Sequence, residues 1–298
     1  MSFAIGVDLG GTNIRVALVD DLGNIVKSLK ESTCKDGIEG IVKQIKKMYD
    51  KLEVKENVLG LGIGVPGPVN KDGVVSHLPN LNIFSPFDFK QMLEKELNLK
   101  VFVGNDANVA SLAEAIVGNG KGYDVCQYIT LSTGIGGGLI INKKMITGTF
   151  GYAQEIGAMI INVNGNTCPS KPNGCIEAEA SGTALVNKAK KAGLQVENAG
   201  DVFKLATLND PKAVSIKKEF ITYLSSIMAS IVSYIEPNVF VLGGGLMKSQ
   251  EYFLDELKEA FNNLLYPALK GKIAIVKAKY DQDCGIIGAA MQVFNSNE

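Results

Sequence analysis

One supersecondary unit occurs twice in this chain, and it restricts the possible folds more than any other feature. Residues 3–7 are an apolar run, Asp8-Leu9-Gly10-Gly11-Thr12-Asn13 is a turn, and residues 14–19 are a second apolar run. About 120 residues further on, the same plan returns. Residues 128–131, the turn Ser132-Thr133-Gly134-Ile135-Gly136-Gly137-Gly138 and residues 139–141 repeat it. Each unit then turns once more, through 20–24 into 25–29 and through 142–144 into 145–146. A duplicated strand, glycine turn and strand predicts two similar α/β domains facing each other.

The stretches between these units alternate in the way such domains require. Ile38, Ile41, Val42, Ile45 and Met48 fall at helical spacing within 37–52. Strands are expected at 58–65, 101–103, 239–242 and 273–276. Helices are expected at 87–97, 109–116, 184–192, 216–235, about 250–265 and 286–294. The run Gly118-Asn119-Gly120-Lys121-Gly122 reads as a connector. It sets an N-terminal lobe over 1–117, joined by the C-terminal helix 286–298, against a larger lobe over 118–285.

Composition removes several classes of function. Thirty Lys and Arg against 31 Asp and Glu give a net charge of −1, which argues against nucleic acid or an anionic membrane as partner. No apolar run reaches the length of a membrane span, and the start lacks a signal-peptide pattern. Five cysteines in 298 residues read as reduced thiols, which places the protein in the cytoplasm. A single histidine, His77, leaves little for a Ser-His-Asp triad or a histidine metal cage. Glycine is abundant, at 33 residues, and clusters beside apolar strands.

Those glycine clusters are the candidate chemistry. In Asp8–Asn13, adjacent Gly10 and Gly11 let backbone N–H groups approach an anion, and Thr12 adds a hydroxyl. Asp8 at the strand end is suited to hold hydrated Mg²⁺ beside phosphates. Alone, the same residues also fit a tight hairpin. Thr133, Gly134, Gly136 and Gly137 offer equivalent groups from the other domain. Gly243 and Gly244 end a strand where a base or ribose could lie on the backbone. Three such clusters at strand ends favour a nucleotide cleft. Asn105-Asp106 closes another strand, and Asp106 can accept a proton from an attacking hydroxyl.

The segments 8–15, 105–108, 133–138, 151–159 and 174–182 together resemble the repressor/open-reading-frame/kinase (ROK) family, in order and spacing over nearly the whole chain. The resemblance implies a ribonuclease H-like, actin-type ATPase fold with ATP, Mg²⁺ and a sugar in a cleft between two lobes. It implies Asp106 as the base toward a sugar 6-hydroxyl, and Asn105, Glu155 and Glu177 as sugar ligands, with Gly64 and Asn80 as lesser contacts. Gly10, Gly11, Thr12, Asn13, Thr133, Gly136 and Gly137 become the phosphate loops, and a homodimer is the implied assembly.

The departures from the family are informative. Glucokinase-type members carry a histidine where this chain has Ala158, and three zinc-binding cysteines where it keeps only Cys168 and Cys175, with Ser170 in place of the third. Two thiols and a hydroxyl do not make a four-coordinate zinc site, so structural zinc is expected to be absent. Loss of the imidazole leaves room beside the sugar for a bulky 2-substituent. With Asn13, Arg15 and the segment 174–182, this resembles the N-acetylmannosamine kinase branch. Glucokinase and fructokinase are the alternatives within the family, and a sugar-binding regulator without catalysis is the alternative outside enzymes.

Overall fold

The computed structural model describes residues 2–55, 57–168 and 171–296 of the chain. Internal contacts divide it into two compact units. The first comprises Met1–Asp124, Gly138–Gln154 and Gln282–Glu298, the second Val125–Gly137 and Glu155–Asp281.

In the first unit β1 (Phe3–Leu9), β2 (Asn13–Asp20) and β3 (Ile25–Ser32) form an antiparallel meander. The chain continues through α1 (Gly37–Lys51), β4 (Val58–Val65), the two-residue strands β5 (Val74–Val75) and β6 (Phe87–Asp88), α2 (Phe89–Leu97), β7 (Val101–Asn105) and α3 (Asp106–Ile116). The sheet order is β3-β2-β1-β4-β7, and β1, β4 and β7 run parallel. β1 and β4 are apolar on both faces because both are covered. Edge strand β3 instead exposes Lys27 and Lys30, charges that discourage further strand pairing.

The chain then forms β8 (Val125–Leu131), β9 (Ile135–Ile141) and β10 (Lys144–Met145), followed by α4 (Ile176–Ala180), α5 (Gly182–Lys191), α6 (Ala199–Thr207) and α7 (Pro211–Ile235). It ends with β11 (Val239–Gly243), α8 (Leu254–Leu264), β12 (Ala274–Lys277) and α9 (Cys284–Asn295), the last of which belongs to the first unit. The second sheet has the order β10-β9-β8-β11-β12, with β8, β11 and β12 parallel. Strand for strand this is the order of the first sheet, so the duplication read from the glycine turns extends to whole sheets. The chain has the ribonuclease H-like fold of actin-like ATPases. Among the described residues no helix is long and apolar enough to cross a membrane.

Several boundaries differ from the expected ones, and local hydrogen bonds explain most of them. The helix expected over 87–97 starts at Phe89, because the Asp88 side chain accepts from Gln91 N at 2.8 Å and caps it. The helix expected from 109 starts at Asp106, with Asn105 as its cap. Gly136 to Gly138 lie in β9 rather than in a turn, since Ser132 N already closes the turn on Gly134 O at 2.9 Å. α7 begins at Pro211 instead of 216, capped by Asp210. In place of the start of the helix expected over 250–265, residues 245–252 form a 3₁₀ segment broken at Ser249.

Close backbone approaches set the packing of the first unit. A Cβ on Gly62 of β4 would lie 1.7 Å from Ala289 O of α9, and one on Gly288 of α9 would lie 1.7 Å from Val109 O of α3. On Gly64 it would meet Val109 Cγ2 at 2.8 Å, and on Gly104 of β7 Val109 Cγ1 at 2.7 Å. The central strands, α9 and α3 are therefore stacked at distances that only glycine permits, and this stack aims the N-terminus of α3. Replacing Gly288 with Ala puts a methyl group into backbone on the facing helix. It should lower unfolding stability by at least about 1–3 kcal/mol, read as a lower urea midpoint at unchanged m-value.

In the second unit the loop 162–175 is fastened by a buried carboxylate. Glu179 of α4, 2% exposed, accepts from Asn166 N at 2.5 Å and Asn166 Nδ2 at 2.9 Å, and pairs with Lys188 Nζ of α5 at 3.0 Å. Lys188 also pairs with Glu219 and stands over the Tyr223 ring, 5.2 Å from its centroid. The basic run at 187–191 reads in sequence as a solvated helix face; Lys188 instead turns inward because two carboxylates await it. Burial pushes the Glu179 carboxyl up, but the Asn166 bonds and the Lys188 charge outweigh this and hold it below its ordinary value. A lowered folded pKa means its stabilisation is complete above the ordinary carboxylate range and lost as pH falls through the folded value. Glu179→Ala strands Lys188 beside a broken network and should cost about 3–5 kcal/mol by denaturant titration at neutral pH. The difference from wild type should shrink below about pH 4.

Candidate active site

Strand pairing brings the first half of the candidate site together. Asp8, near the end of β1, lies opposite Arg15 on β2 and beside Gly64 on β4. Arg15 donates to Asp283 Oδ1 at 2.6 Å and to Gln282 O at 2.8 Å. Burial pushes the Asp8 carboxyl above its usual value; Arg15 pulls it down and the Asp283 charge pushes it up again. One guanidinium thus serves two carboxylates, one of them poorly solvated. That arrangement favours an added hard cation, which would supply the missing positive charge through oxygen ligands.

The adjoining turn is braced from outside. Gly10 N closes on Asn13 O at 2.9 Å. Thr33 Oγ1 donates to Gly10 O at 2.7 Å and Thr33 N to Thr12 O at 2.9 Å, while Lys35 Nζ donates to Gly11 O. With those carbonyls engaged and an ammonium alongside, the turn is suited to an anionic ligand. Thr12 and Asn13 are exposed. Gly11 packs against Asn80, whose Cβ would be 3.0 Å from a Cβ added there, so Asn80 stands beside this turn. Thr33 and Lys35 were not among the expected site residues, since only β-pairing brings them to the turn.

Asn105 and Asp106 divide the work at the start of α3. Asn105 Oδ1 accepts from Ala107 N at 3.0 Å and Asn108 N at 3.2 Å, and its Nδ2 donates to Gly67 O at 3.3 Å. Asp106 is the first helical residue; it is exposed, and its Oδ1 accepts from Ala107 N at 2.8 Å. The positive end of an eleven-residue helix favours a carboxylate at this position. Gly64 lies beneath this helix start: a Cβ there would press on Val109 Cγ2 at 2.8 Å and reach van der Waals contact with Asp106 Cα at 3.6 Å.

Further candidate residues lie on the second unit. Ser132 O accepts from Gly182 N at 2.8 Å and Thr133 O from Thr183 N at 3.3 Å, so the turn rests on the N-terminus of α5. A cavity of about 550 Å³ is lined by Ser132, Thr133, Gly182, Thr183, Gly245 and Lys248. Gly243 and Gly244 lie beneath this region. A Cβ on Gly243 would be 2.4 Å from Tyr128 Oη, and Gly244, at φ +88°, would bring one to 2.3 Å from Leu131 O. Gly245 lines this cavity, and Gly243 and Gly244 allow β11 to approach β8. Gly136 and Gly137 extend β9.

A second cavity, about 620 Å³, is lined by Thr133, Gly134, Asn166, Cys168, Glu177 and Thr183 among others. Glu177 Oε2 accepts from Ile135 N at 2.9 Å and its Oε1 is 3.0 Å from Lys171 Nζ. Gly134 is needed here, because a Cβ would be 2.4 Å from Glu177 Oε2. Glu155 is exposed and precedes a 3₁₀ turn, Ile156–Ala158. Lys171 was missed because nothing in a proline- and asparagine-rich loop marks one lysine as paired.

The zinc question turns on the thiols. Cys175 is buried and Cys168 half-buried, and both are free. Burial pushes the Cys175 thiol up, the Ala178 N–H bond lowers it, and Cys168 beside it raises it again. Metal binding needs thiolates. Ala158 supplies no ligand, and Ser170 lies outside the described residues together with Pro169. Among the described residues no three His, Cys, Asp or Glu side chains cluster to hold a metal. This donor set does not fit a structural zinc.

Comparison with known proteins identifies the family. The sequence matches the ROK family over residues 4–295. The glucokinase of Thermotoga maritima is 31% identical over 303 residues, covering 96% of this chain and 95% of the relative. The N-acetylmannosamine kinase of Vibrio cholerae is 29% identical, covering 97% and 98%. The crystal structure of a ROK family glucokinase from Streptomyces griseus, in complex with glucose and AMPPNP, is similar with a TM-score of 0.78 at 31% identity, covering 97% of this chain and 98% of that one. The chain belongs to the ROK family and to its sugar kinases.

Proposed function

We propose that this kinase transfers the γ-phosphoryl group of ATP to the 6-hydroxyl of N-acetylmannosamine, with Asp106 as general base. The observation that carries the reading is the exposed Asp106 carboxylate at the capped N-terminus of α3. In the step, the sugar O6 attacks the γ-phosphorus, the bond to the β–γ bridging oxygen breaks, and ADP leaves. Asp106 accepts the O6 proton. Asn105 fixes the backbone that aims it.

The first glycine turn (Gly10, Gly11, Thr12, Asn13) and the second (Thr133, Gly134, Gly136, Gly137) contribute N–H and hydroxyl donors to the phosphates. The 550 Å³ cavity beside Thr133 is of a size for the nucleoside. Asp8 and Asp283 would hold a hydrated Mg²⁺, which when bound neutralises phosphate charge. Glu155, Glu177, Asn105 and Asn80 serve as sugar ligands, with Gly64 and Gly134 making room for Asp106 and Glu177. The acetamido group is favoured by Ala158, which leaves a methyl where a larger side chain would compete for space. The glucokinase of T. maritima supports glucose as the second reading, and the identities of the two relatives, 31% and 29%, do not separate them.

Asp106→Asn should reduce kcat about 10²- to 10⁴-fold in a coupled ATPase assay, while calorimetry shows sugar binding retained. Equal loss of sugar binding, or activity within about threefold of wild type, would reject Asp106 as base. A panel of acceptors separates the sugars: N-acetylmannosamine should give the highest kcat/KM, by about tenfold or more over glucose and fructose. Glucose in first place replaces the substrate assignment and leaves the base assignment standing.

A further inference from the structure

Lys171 is the least expected participant near the sugar side of the second unit. It follows Cys168 in the loop 162–175, and the two residues form an isolated β-bridge. Its side chain is only 19% exposed, although it belongs to a loop and carries a charge. The ammonium lies by Gly157, where an added Cβ would come within 2.9 Å of Lys171 Nζ and 2.2 Å of Ile135 O. Gly157 therefore makes room for the ammonium, and the next residue, Ala158, brings no polar side chain to compete for it.

The ammonium reaches Glu177. One carboxylate oxygen of Glu177 is 3.0 Å from Lys171 Nζ and the other accepts the Ile135 N–H at 2.9 Å. Each oxygen has one fixed donor, so the side chain is held in one rotamer and its charge is compensated, with lone pairs left toward the cavity that Glu177 lines. A carboxylate restrained in this way recognises sugar hydroxyls better than one anchored by a single backbone N–H, because less rotational freedom is lost on binding. A lysine doing no more than bracing the loop would not need to end on the one carboxylate that faces the cavity. Asn166, earlier in the loop, is already fastened to Glu179.

We propose that Lys171 is a positioning residue of the sugar site: it orients and charge-compensates Glu177 and so sets sugar affinity without touching the phosphoryl transfer. This rests on the reading of Glu177 as a sugar ligand. The test is steady-state kinetics on the full chain for Lys171→Met, Lys171→Arg, Glu177→Gln and the Met/Gln double variant, each with ATP and sugar varied separately. Lys171→Met should raise the sugar KM about 10- to 100-fold, the value of a hydrogen bond to a charged group, with kcat and the ATP KM within about threefold. Lys171→Arg should recover most of the affinity. In the Glu177→Gln background, Lys171→Met should add less than about threefold, since its target has lost its charge.

An unchanged sugar KM in Lys171→Met, with Glu177→Gln impaired, overturns the proposal and leaves the sugar-ligand reading intact. So do fully additive effects in the double variant. Unchanged sugar KM in Glu177→Gln overturns the sugar-ligand reading, and this proposal with it. Should Lys171→Met lose ATP binding and thermal stability together, Lys171→Gln and Lys171→Arg carry the test, and equal loss of sugar affinity in both overturns charge-specific positioning.

Discussion

The stack of β4, α9 and α3 in the first unit depends on backbone meeting backbone. Gly62, Gly288, Gly64 and Gly104 each lie where any side chain would overlap a carbonyl or Val109. This constraint bears on the proposed chemistry, because α3 begins with Asp106, the residue proposed to accept the proton. A helix resting on larger side chains would stand further off, and the carboxylate at its tip would move with it. Precision at the tip is obtained by removing atoms beneath it. The Asn105 cap completes the arrangement by fixing the first turn against fraying.

The second unit solves a comparable problem with charge. The described residues of its loop between Asn162 and Cys175 are held by Glu179, Lys188 and Asn166 on one side and by Lys171 and Glu177 on the other. Buried ion pairs of this kind contribute little net energy compared with apolar packing, yet removing one partner is costly. Their value lies in specifying one geometry. The two systems share α4, which carries both Glu177 and Glu179, so the residue facing the cavity and the residue anchoring the loop are set by one short helix.

How much of this the sequence disclosed depended on whether a signal was local. The turn at Asp8–Asn13 and the strand-end pair Asn105-Asp106 were legible because adjacent residues carry the whole pattern. The repeat of that pattern predicted two similar domains, while the strand order within each sheet came only from the folded chain. The inward turn of Lys188 was not legible: its partners lie nine residues before and 31 after it, and a basic run is ordinarily solvated. Lys171 was hidden for the same reason. Glu155 and Glu177 were found through resemblance to a family rather than through spacing. Gly243 and Gly244 were noticed as a cluster, but their reason, the Tyr128 ring and the Leu131 carbonyl beneath them, exists only in the folded chain. Helix α4, five residues long, gives too little periodicity to be seen, whereas the Asn198/Asp201 capping box ahead of α6 was present and passed over.

Securing a loop with carboxylates and ammoniums also changes what the cell must provide. The described residues of this loop are fastened by ion pairs and hydrogen bonds among the chain's own side chains. Its vulnerability moves to acid, where Glu179 takes up a proton and releases Lys188. A loop fastened in this way depends on the proton concentration around it.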